Sequence, residues 1–321
     1  MKKKILITGS EGFIGKSFYN QYKSKYIFYR VDNFSRHKKI TSNNDNCING
    51  SVFDKKLIKK ILKKVDVVIH LAAINGTKNF YERSKEVFET SYRGILNLHD
   101  AIKETNFKGK ILIASSGEVY GYPKKIPTDE KSDMIVHDIT NNRYSYGGGK
   151  ICQDLLGRFM INPLVKSCII FRPHNVYGPN MGYDHVIPEI FIKCTSKNKK
   201  IKIQGSGLET RSFCYVSDFN EGLEKLIQKK LVGFHVFNIG NGKETKIIDL
   251  IKKIIKITGS KKMVEKGKLT NWSVKRRKPC LKKITKYGYK PKINLDNGLK
   301  KFLFEDKKIN HLLNKKIKTI E

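Results

Sequence analysis

The sequence predicts an α/β protein in which a doubly wound parallel sheet is interleaved with a smaller C-terminal lobe. Three observations support this prediction: short apolar runs alternate with longer segments of helical periodicity, the apolar runs are continuous, and a glycine-rich turn follows the first of them. Strands that are apolar throughout are typical of a parallel sheet covered on both faces, and strand–helix alternation produces such a sheet. A chain of 321 residues can bury a full core.

Apolar runs and helical periodicity give the order of the elements. Hydrophobic residues recur at helical spacing over 88–98, 151–159 and 247–255, which predicts three helices. The basic tail, 300–321, is predicted to form one amphipathic surface helix. The predicted strands are 4–8, 26–31, 65–71, 110–114, 167–171 and 234–239.

The turn after the first strand reads "ITGSEGFIGKS" and raises the choice between a nucleoside triphosphate and a dinucleotide. A P-loop needs glycine five positions before Gly15, and that position is Ser10. Gly9, Gly12 and Gly15 instead fit a dinucleotide loop, in which they allow a tight turn, close approach of the pyrophosphate, and helix–strand packing. The helix that follows would direct its N-terminal amides at the phosphates. The sequence therefore predicts a Rossmann-like dinucleotide site.

Asp32 ends the second predicted strand, about 20 residues after the glycines. Its carboxylate would accept hydrogen bonds from the adenosine ribose and repel a 2′-phosphate, so NAD is the expected cofactor. Arg36 is a counter-indication, because an arginine at this place can accommodate the 2′-phosphate of NADP.

The regular alternation ends after Arg172, where the sequence becomes "PHNVYGPNMGYDHVIPEI". We therefore expect an NAD-binding Rossmann domain over 1–172, with 213–250 returning to it. Residues 173–321 would form the second lobe, interleaved with the first, and would bind the substrate.

Tyr146, Lys150 and Ser116 are the predicted catalytic residues. Of three Tyr-x-x-x-Lys pairs, the one formed by Tyr146 and Lys150 opens a predicted helix, so both side chains share a face. Ser116 follows strand 110–114, at the carboxyl edge where open α/β sheets bind ligands. Lys150 would lower the Tyr146 pKa and hold the nicotinamide ribose. Tyr146 would then take a proton from a substrate hydroxyl oriented by Ser116.

Charge and cysteine content exclude other classes of protein. The net charge is +36, but 55 Lys and only 10 Arg are scattered along the chain, which is typical of a solvated surface and not of nucleic-acid readout. Six widely spaced cysteines form no C-x-x-C pair, so we expect a reducing compartment and no metal site. The N-terminal apolar stretch is too short for a signal peptide, and no apolar run is long enough to span a membrane. A cytoplasmic location is therefore expected.

The motifs "TGSEGFIG", "HLAA", "SSGEVYG", "YSYGGGK" and "RPHNVYGP" resemble, in order and spacing, the extended short-chain dehydrogenase/reductases that modify nucleotide sugars. This is the epimerase/dehydratase family, and the likeness covers nearly the whole chain. It implies a nucleotide-diphosphate sugar as substrate and a homodimer formed through 81–104 and 144–161. For the substrate it implies Asn175, Val186, Arg211 and Arg277. For NAD it implies Phe13, Ile14, Asn33, Ser51, Val52, Leu71, Ala72, Ala73 and Pro173, together with the glycines, Asp32, Tyr146 and Lys150.

The resemblance implies oxidation of the hexose, usually at C4, by hydride transfer to NAD. Among the outcomes, 4-epimerisation ranks first. Simple C4 oxidation or ketone reduction, decarboxylation of a UDP-glucuronate type substrate, and 4,6-dehydration are the alternatives, and an NAD-binding regulatory scaffold is the non-enzymatic one. Dehydratases carry an Asp-Glu pair after the hydroxyl residue, and here that pair is Gly117 and Glu118. Glu118 is therefore either a catalytic residue, as in the decarboxylases, or a solvated turn residue.

Overall fold

The structure is a computed structural model that describes residues 1–36, 47–268 and 274–317, with the side chains of 316 and 317 outside the description. The strands, in chain order, are β1 Lys4–Thr8, β2 Ile27–Asp32, β3 Cys47–Asn49, β4 Val67–His70, β5 Lys110–Ala114, β6 Ser167–Pro173, β7 Val176–Tyr177, β8 Lys200–Lys202, β9 Thr210–Arg211, β10 Cys214–Tyr215, β11 Gly233–Ile239, β12 Thr245–Lys246, β13 Met263–Glu265 and β14 Arg276–Arg277.

The helices lie between these strands and after the last of them. They are α1 Phe13–Tyr22, α2 Lys55–Leu62, α3 Thr77–Glu82, α4 Ser84–Thr105, α5 Tyr144–Leu156, α6 Val186–Thr195, α7 Val216–Gln228, α8 Ile247–Thr258, α9 Lys282–Thr285, α10 Leu295–Glu305 and α11 Lys307–Ile317. A short 3-10 turn, Gly117–Tyr120, follows β5. No helix within the described ranges combines the length and the apolar character that crossing a bilayer requires.

The central sheet has the order β11-β6-β5-β4-β1-β2-β3, and each of its pairings is parallel. Strand β1 shows why the apolar runs are continuous. Ile5 and Ile7 face a layer that contains Phe18 of α1 and Phe219 of α7, whereas Leu6 faces the opposite layer, with α2 and α4. Both faces are covered, so the strand has no solvent side on which a polar residue would be favoured. The predicted fold class is confirmed.

The six predicted strands all form, and β11, from the stretch 213–250, pairs with β6 in the central sheet. The division into two domains stays a prediction. The sequence did not predict β3, a three-residue edge strand that pairs with the end of β2. Its side chains are half-buried or exposed, so it lacks the apolar signature of the other strands.

The prediction of a single surface helix over the C-terminal tail is wrong. Two helices, α10 and α11, meet at Asp306, whose buried carboxylate accepts a hydrogen bond from the Ile309 N–H at 3.1 Å and thereby caps α11. The same carboxylate accepts hydrogen bonds from the Asn180 N–H and the Tyr183 hydroxyl, both at 3.1 Å. Residues 318–321 of the predicted helix lie outside the described residues.

Three glycines near the start of α5 are unusual in a helix, where each costs roughly 1 kcal/mol relative to alanine. At Gly149 the structure gives a reason, because a Cβ there would lie 2.9 Å from the Cβ of buried Ser91 on α4. The close packing of α4 on α5 therefore requires glycine, and it holds the first turn of α5, with Tyr146, against the sheet.

Candidate functional site

A cavity of about 1150 Å³ opens at the carboxyl edge of the central sheet. It lies where the strand order reverses, between β1 and β4, which is the usual ligand position in doubly wound sheets. All the residues predicted for NAD line it, as do Ser116, Glu118, Asn175 and Arg277. Two residues predicted for the substrate, Val186 and Arg211, are not among its lining residues. The structure thus brings nearly all the predicted site residues to one cavity.

The glycine loop after β1 packs too tightly for side chains. A Cβ on Gly15 would lie 2.5 Å from the Gly9 carbonyl oxygen, and one on Gly9 would lie 2.8 Å from the backbone of Ala72. Helix α1 begins directly after Gly12, and its first residues line the cavity. The N-terminal amides of α1 therefore point to the cavity, as a pyrophosphate site requires. These residues fit a dinucleotide.

The Asp32 carboxylate is fixed at the cavity mouth by backbone groups. One oxygen accepts a hydrogen bond from the Glu11 N–H of the glycine loop and the other from the Phe34 N–H, both at 2.8 Å. Arg36, the counter-indication to NAD, donates to the Asn180 carbonyl oxygen at 3.1 Å. Its guanidinium is therefore engaged with the segment after β7.

Tyr146 lies in the first turn of α5, with its ring stacked on Phe80 at a centroid distance of 4.8 Å. Burial raises the pKa of the Tyr146 hydroxyl to about 12, although a hydrogen bond with Ser116 favours ionisation. Ser116 also accepts a hydrogen bond from the Glu118 N–H at 3.1 Å, which fixes the turn after β5. The hydroxyl groups of Ser116 and Tyr146 thus meet at the carboxyl end of β5, as predicted.

Lys150 is 2% exposed and donates hydrogen bonds to the Ala114 carbonyl oxygen and to Gln153 Oε1, both at 2.7 Å. Its Nζ lies 5.7 Å from the centroid of the Tyr146 ring. Burial lowers the pKa of Lys150 to about 8, and Asp154 partly opposes this. The predicted lowering of the Tyr146 pKa by Lys150 is not found in this structure, where burial of the hydroxyl dominates.

Glu118 is held by two arginines. Arg277 donates to both of its carboxylate oxygens, at 2.5 and 3.1 Å, and Arg143 donates to one of them at 3.4 Å. Burial by itself would raise the pKa of Glu118, but Arg277 and Arg143 hold it well below its usual range. The interpretation of Glu118 as a solvated turn residue is therefore wrong.

Arg211 and Arg277 are register partners on the paired strands β9 and β14. Burial lowers the pKa of Arg211 to about 10, and the charge of Arg277 adds to the effect. Arg143 and Arg277 pair with the Glu118 carboxylate, and the charge of Arg211 also lowers its pKa. This cluster of three arginines therefore places more than one positive charge near a single carboxylate. The sequence did not predict Arg143, although it lies three residues before Tyr146, a spacing that places it beside the first turn of α5.

His174 fills the space next to Gly117. The imidazole is buried, and its Nε2 lies 3.0 Å from Asn238 Oδ1. A Cβ on Gly117 would lie only 2.7 Å from the His174 ring. Burial lowers the pKa of His174 to about 4, so the ring is neutral at physiological pH. Any side chain at position 117 would require His174 to move.

The sheet order and the cavity at its carboxyl edge define a Rossmann-like enzyme of the short-chain dehydrogenase/reductase type. The chain belongs to the NAD-dependent epimerase/dehydratase family, whose model matches residues 5–240. It is 31% identical to a UDP-N-acetyl-alpha-D-glucosaminuronate decarboxylase of Bacillus cytotoxicus, over 94% of this chain and 96% of that protein. It is 30% identical to a dTDP-D-glucose 4,6-dehydratase of Dictyostelium discoideum, over 80% of this chain and 62% of that longer protein.

Among solved structures, a UDP-glucose 4-epimerase of Thermotoga maritima with UDP-glucose superposes with a TM-score of 0.82. The two sequences are 25% identical, and the match covers 99% of this chain and all of that one. The predicted family, fold and cofactor are confirmed. The named relatives include a decarboxylase, a dehydratase and an epimerase, so the family alone does not choose among these reactions.

Proposed function

We propose that this enzyme decarboxylates a nucleotide-diphosphate hexuronic acid after oxidising it at C4. The observation that carries the proposal is the arginine cluster around Glu118. Arg143 and Arg277 contact a single carboxylate there, and the charge of Arg211 adds to theirs. A second carboxylate, from the substrate, would therefore find positive charge that Glu118 alone does not balance, beside the first turn of α5. The full-length likeness to a hexuronate decarboxylase supports the same substrate class.

The proposed roles on the cofactor side follow from the geometry of the cavity. NAD, when bound, supplies the hydride acceptor for oxidation and returns hydride at the end of the cycle. The amides at the start of α1 would bind its pyrophosphate and Asp32 its adenosine ribose. Lys150 would donate a hydrogen bond to the nicotinamide ribose. Ser51, Val52 and Leu71 to Ala73 would provide contact surface for the adenosine and the dinucleotide.

Besides the hydride acceptor, the proposed chemistry requires a hydroxyl pair and the arginines. Ser116 would orient the C4 hydroxyl. The phenolate form of Tyr146, a minor fraction at neutral pH because burial raises its pKa, would accept the hydroxyl proton as the C4 carbon is oxidised. The resulting C4 ketone is β to the C6 carboxylate. The bond between C5 and C6 can then break, carbon dioxide leaves, and the electron pair moves towards the C4 oxygen, which Tyr146 and Ser116 stabilise by hydrogen bonds. Water would then supply the proton that C5 gains, and Tyr146 would return its own proton to the C4 oxygen when the ketone is reduced.

Arg277 and Arg143 would hold the substrate carboxylate before it leaves. Glu118 shares both arginines, so it limits how strongly they bind the carboxylate in the ground state. This balance favours reaction, because an interaction that stabilises the substrate more than the transition state slows the chemical step.

Epimerisation at C4, which the sequence ranks first, is the second candidate. It is supported by the likeness to the UDP-glucose 4-epimerase along the whole of both chains. Dehydration is disfavoured because position 117, where the dehydratases carry an aspartate, is a glycine, and the neighbouring His174 leaves no room for a side chain there.

We also propose a homodimer formed through the outer faces of α4 and α5. Phe88, Leu155 and Phe159 are 37%, 45% and 69% exposed on or directly after these helices. Exposed apolar side chains grouped on one face are typical of an interface. Light scattering after size exclusion should give twice the mass of the chain, and Phe159→Glu should produce a monomer. A wild-type monomer would contradict the proposal.

The test of the reaction is mass spectrometry of products formed from matched pairs of substrates. UDP-glucuronate and UDP-N-acetylglucosaminuronate are compared with UDP-glucose and UDP-N-acetylglucosamine, each with NAD. Loss of carbon dioxide from an acid, with the neutral sugars unchanged, supports the proposal. A product of unchanged mass and new retention time identifies an epimerase instead, and loss of water identifies a dehydratase.

Arg276 offers a matched control for Arg277. It is the adjacent residue on β14, but it is exposed and pairs with Glu244 outside the cavity. Arg277→Gln should abolish release of carbon dioxide, and Arg276→Gln should leave it unchanged. Equal loss in both variants would point to damage to β14 and would overturn the assignment of the carboxylate to Arg277.

A further inference from the structure

Gln153 lies one turn after Lys150 on α5 and contacts it directly. Both side chains are buried, and Lys150 Nζ lies 2.7 Å from Gln153 Oε1. A lysine ammonium can only donate hydrogen bonds, so the oxygen of the amide has to face it, and the orientation of the Gln153 side chain is fixed.

The other half of this amide is left unsatisfied. Gln153 Nε2 is buried and has no hydrogen-bond partner among the described residues. An unsatisfied buried donor destabilises a protein, and an apolar residue in this place would avoid the penalty. In the part of the chain that the structure describes, the Gln153 amide therefore makes its favourable contact through Oε1, with Lys150.

The titratable groups that interact with Lys150 among the described residues are Asp154, His70 and Tyr146. On α5, Asp154 is paired with Arg172 of β6 at 2.7 Å. His70, on β4, is neutral because burial lowers its pKa to about 3. Burial raises the pKa of Tyr146, so most of its hydroxyl keeps its proton at neutral pH. Gln153 thus adds a hydrogen-bond acceptor next to the ammonium without adding a charge.

We propose that Gln153 is a positioning residue for Lys150. The Ala114 carbonyl oxygen and Gln153 Oε1 accept two of the three ammonium protons and direct the third towards the cavity, which Lys150 lines. There it is available to the ribose of the cofactor. This inference does not depend on the proposed substrate, because it concerns only the binding of NAD, which the family requires.

The neutral character of Gln153 has a measurable consequence. Burial lowers the pKa of Lys150 to about 8, so the wild-type ammonium loses its proton, and part of its hold on the ribose, in mildly alkaline solution. Gln153→Glu has the same shape and places a carboxylate against the ammonium. An opposite charge at this distance raises a lysine pKa by about one to three units. Gln153→Met removes the acceptor and keeps the volume.

The experiment is isothermal titration calorimetry of NAD alone, on the full-length protein stripped of nucleotide, from about pH 7 to about pH 10. Wild-type affinity should fall as the pH rises past about 8. In Gln153→Glu the fall should move up by about one pH unit or more. In Gln153→Met the affinity should already be several-fold weaker at about pH 7. No substrate turnover enters this readout.

Gln21→Glu is the matched control, because it makes the same chemical change on an exposed part of α1. Its profile should coincide with that of the wild type. A Gln153→Glu profile equal to that of the wild type would overturn the proposal. The isosteric Glu variant alone decides the outcome if Gln153→Met does not fold. The calorimetry measures only NAD binding, so a negative decarboxylation test would not change its outcome. The function of the enzyme and the role of Gln153 are therefore tested independently.

Discussion

On the cofactor side of the cavity, the glycine loop keeps its shape through backbone contacts between near neighbours, with Gly15 against the Gly9 carbonyl. On the substrate side, Glu118 is held by Arg277, a residue 159 positions away along the chain. The cofactor side depends on close packing, and each glycine allows that packing by lacking a side chain, whatever the rest of the site does. The substrate side depends on a balance of charges between Glu118 and its arginines. Removing one of these side chains changes the pKa values of the others. Substitutions should therefore separate the two halves.

The largest separation is expected from Tyr146→Phe. Loss of a general acid–base group costs about 10²- to 10⁴-fold in rate, whereas the cofactor half keeps its shape because the ring still stacks on Phe80. Product formation should fall by about 10³-fold and the affinity for NAD should stay within about twofold, measured by mass spectrometry and calorimetry. Wild-type turnover in this variant would refute the assigned role of Tyr146.

Arg277→Met should affect the substrate half next most strongly. Removing one partner of a largely buried ion pair costs about 3 kcal/mol when the other charge is left uncompensated. Glu118 would keep Arg143, so we expect a smaller cost, about 2 kcal/mol. The free energy of unfolding, measured in urea, should fall by roughly this amount, and the pKa of Glu118 should rise, since Arg277 is the first of the charges that lower it. NAD binding should not change.

A control and a contrary outcome make the Arg277 result informative. Arg276→Met should leave the free energy of unfolding within about 0.5 kcal/mol of the wild type, as expected for an exposed substitution. If Arg277→Met weakened NAD and substrate binding equally, the two halves would not be separable in the way the contacts indicate.

Lowering the pH should affect the stability of both sides of the cavity, because each side contains one buried neutral histidine. The pKa values of His70, on the cofactor side, and His174, on the substrate side, are lowered by burial to about 3 and about 4. As the pH falls below about 6.5, the unfolded chain binds protons that the folded chain does not, so stability decreases. Between about pH 6.5 and about pH 5.5 we expect a loss of about 2 kcal/mol in the free energy of unfolding measured in urea, about 1 kcal/mol from each histidine. His174→Gln should remove about half of this loss, and a flat profile would contradict the buried neutral state.

The smallest effect is expected at Asp32. Asp32→Ala removes both the ribose acceptor and the partner of the Glu11 N–H, so NAD should bind about tenfold more weakly. Asp32→Asn keeps an acceptor for that N–H and should lose less affinity, but it should discriminate less against NADP because the negative charge is gone. Calorimetry with both dinucleotides measures each effect. Unchanged NAD affinity in Asp32→Ala would remove Asp32 from the ribose site.

The same contrast explains how much the sequence could predict. The strands, the glycine loop and the pair formed by Tyr146 and Lys150 are encoded by local spacing, and they were found. The partners of Glu118 depend on how strand β14 returns to the cavity after a long excursion of the chain. Gln153 and Arg143 look like ordinary polar residues of a helix and its approach, and only the tertiary structure shows which way their side chains turn.

The prediction of one continuous C-terminal helix failed for the same reason. Asp306 interrupts α10 and α11 because its carboxylate has partners at Asn180 and Tyr183, more than 120 residues earlier. An aspartate within an amphipathic pattern carries no local signal of such partners. The sequence pattern was correct in periodicity but did not contain the interruption.

Through Asp306, the C-terminal helices also support the wall of the cavity by hydrogen bonds. Asn180 and Tyr183 line the cavity, and the Asn180 carbonyl in turn receives Arg36 from the loop beyond Asp32. A continuous path of hydrogen bonds therefore joins the last helix to the adenosine end of the cofactor site. Trimming the protein before residue 306 to obtain a shorter form for crystallisation would remove this support, and the trimmed protein would lose cofactor affinity even though every residue that touches the cofactor remained in place.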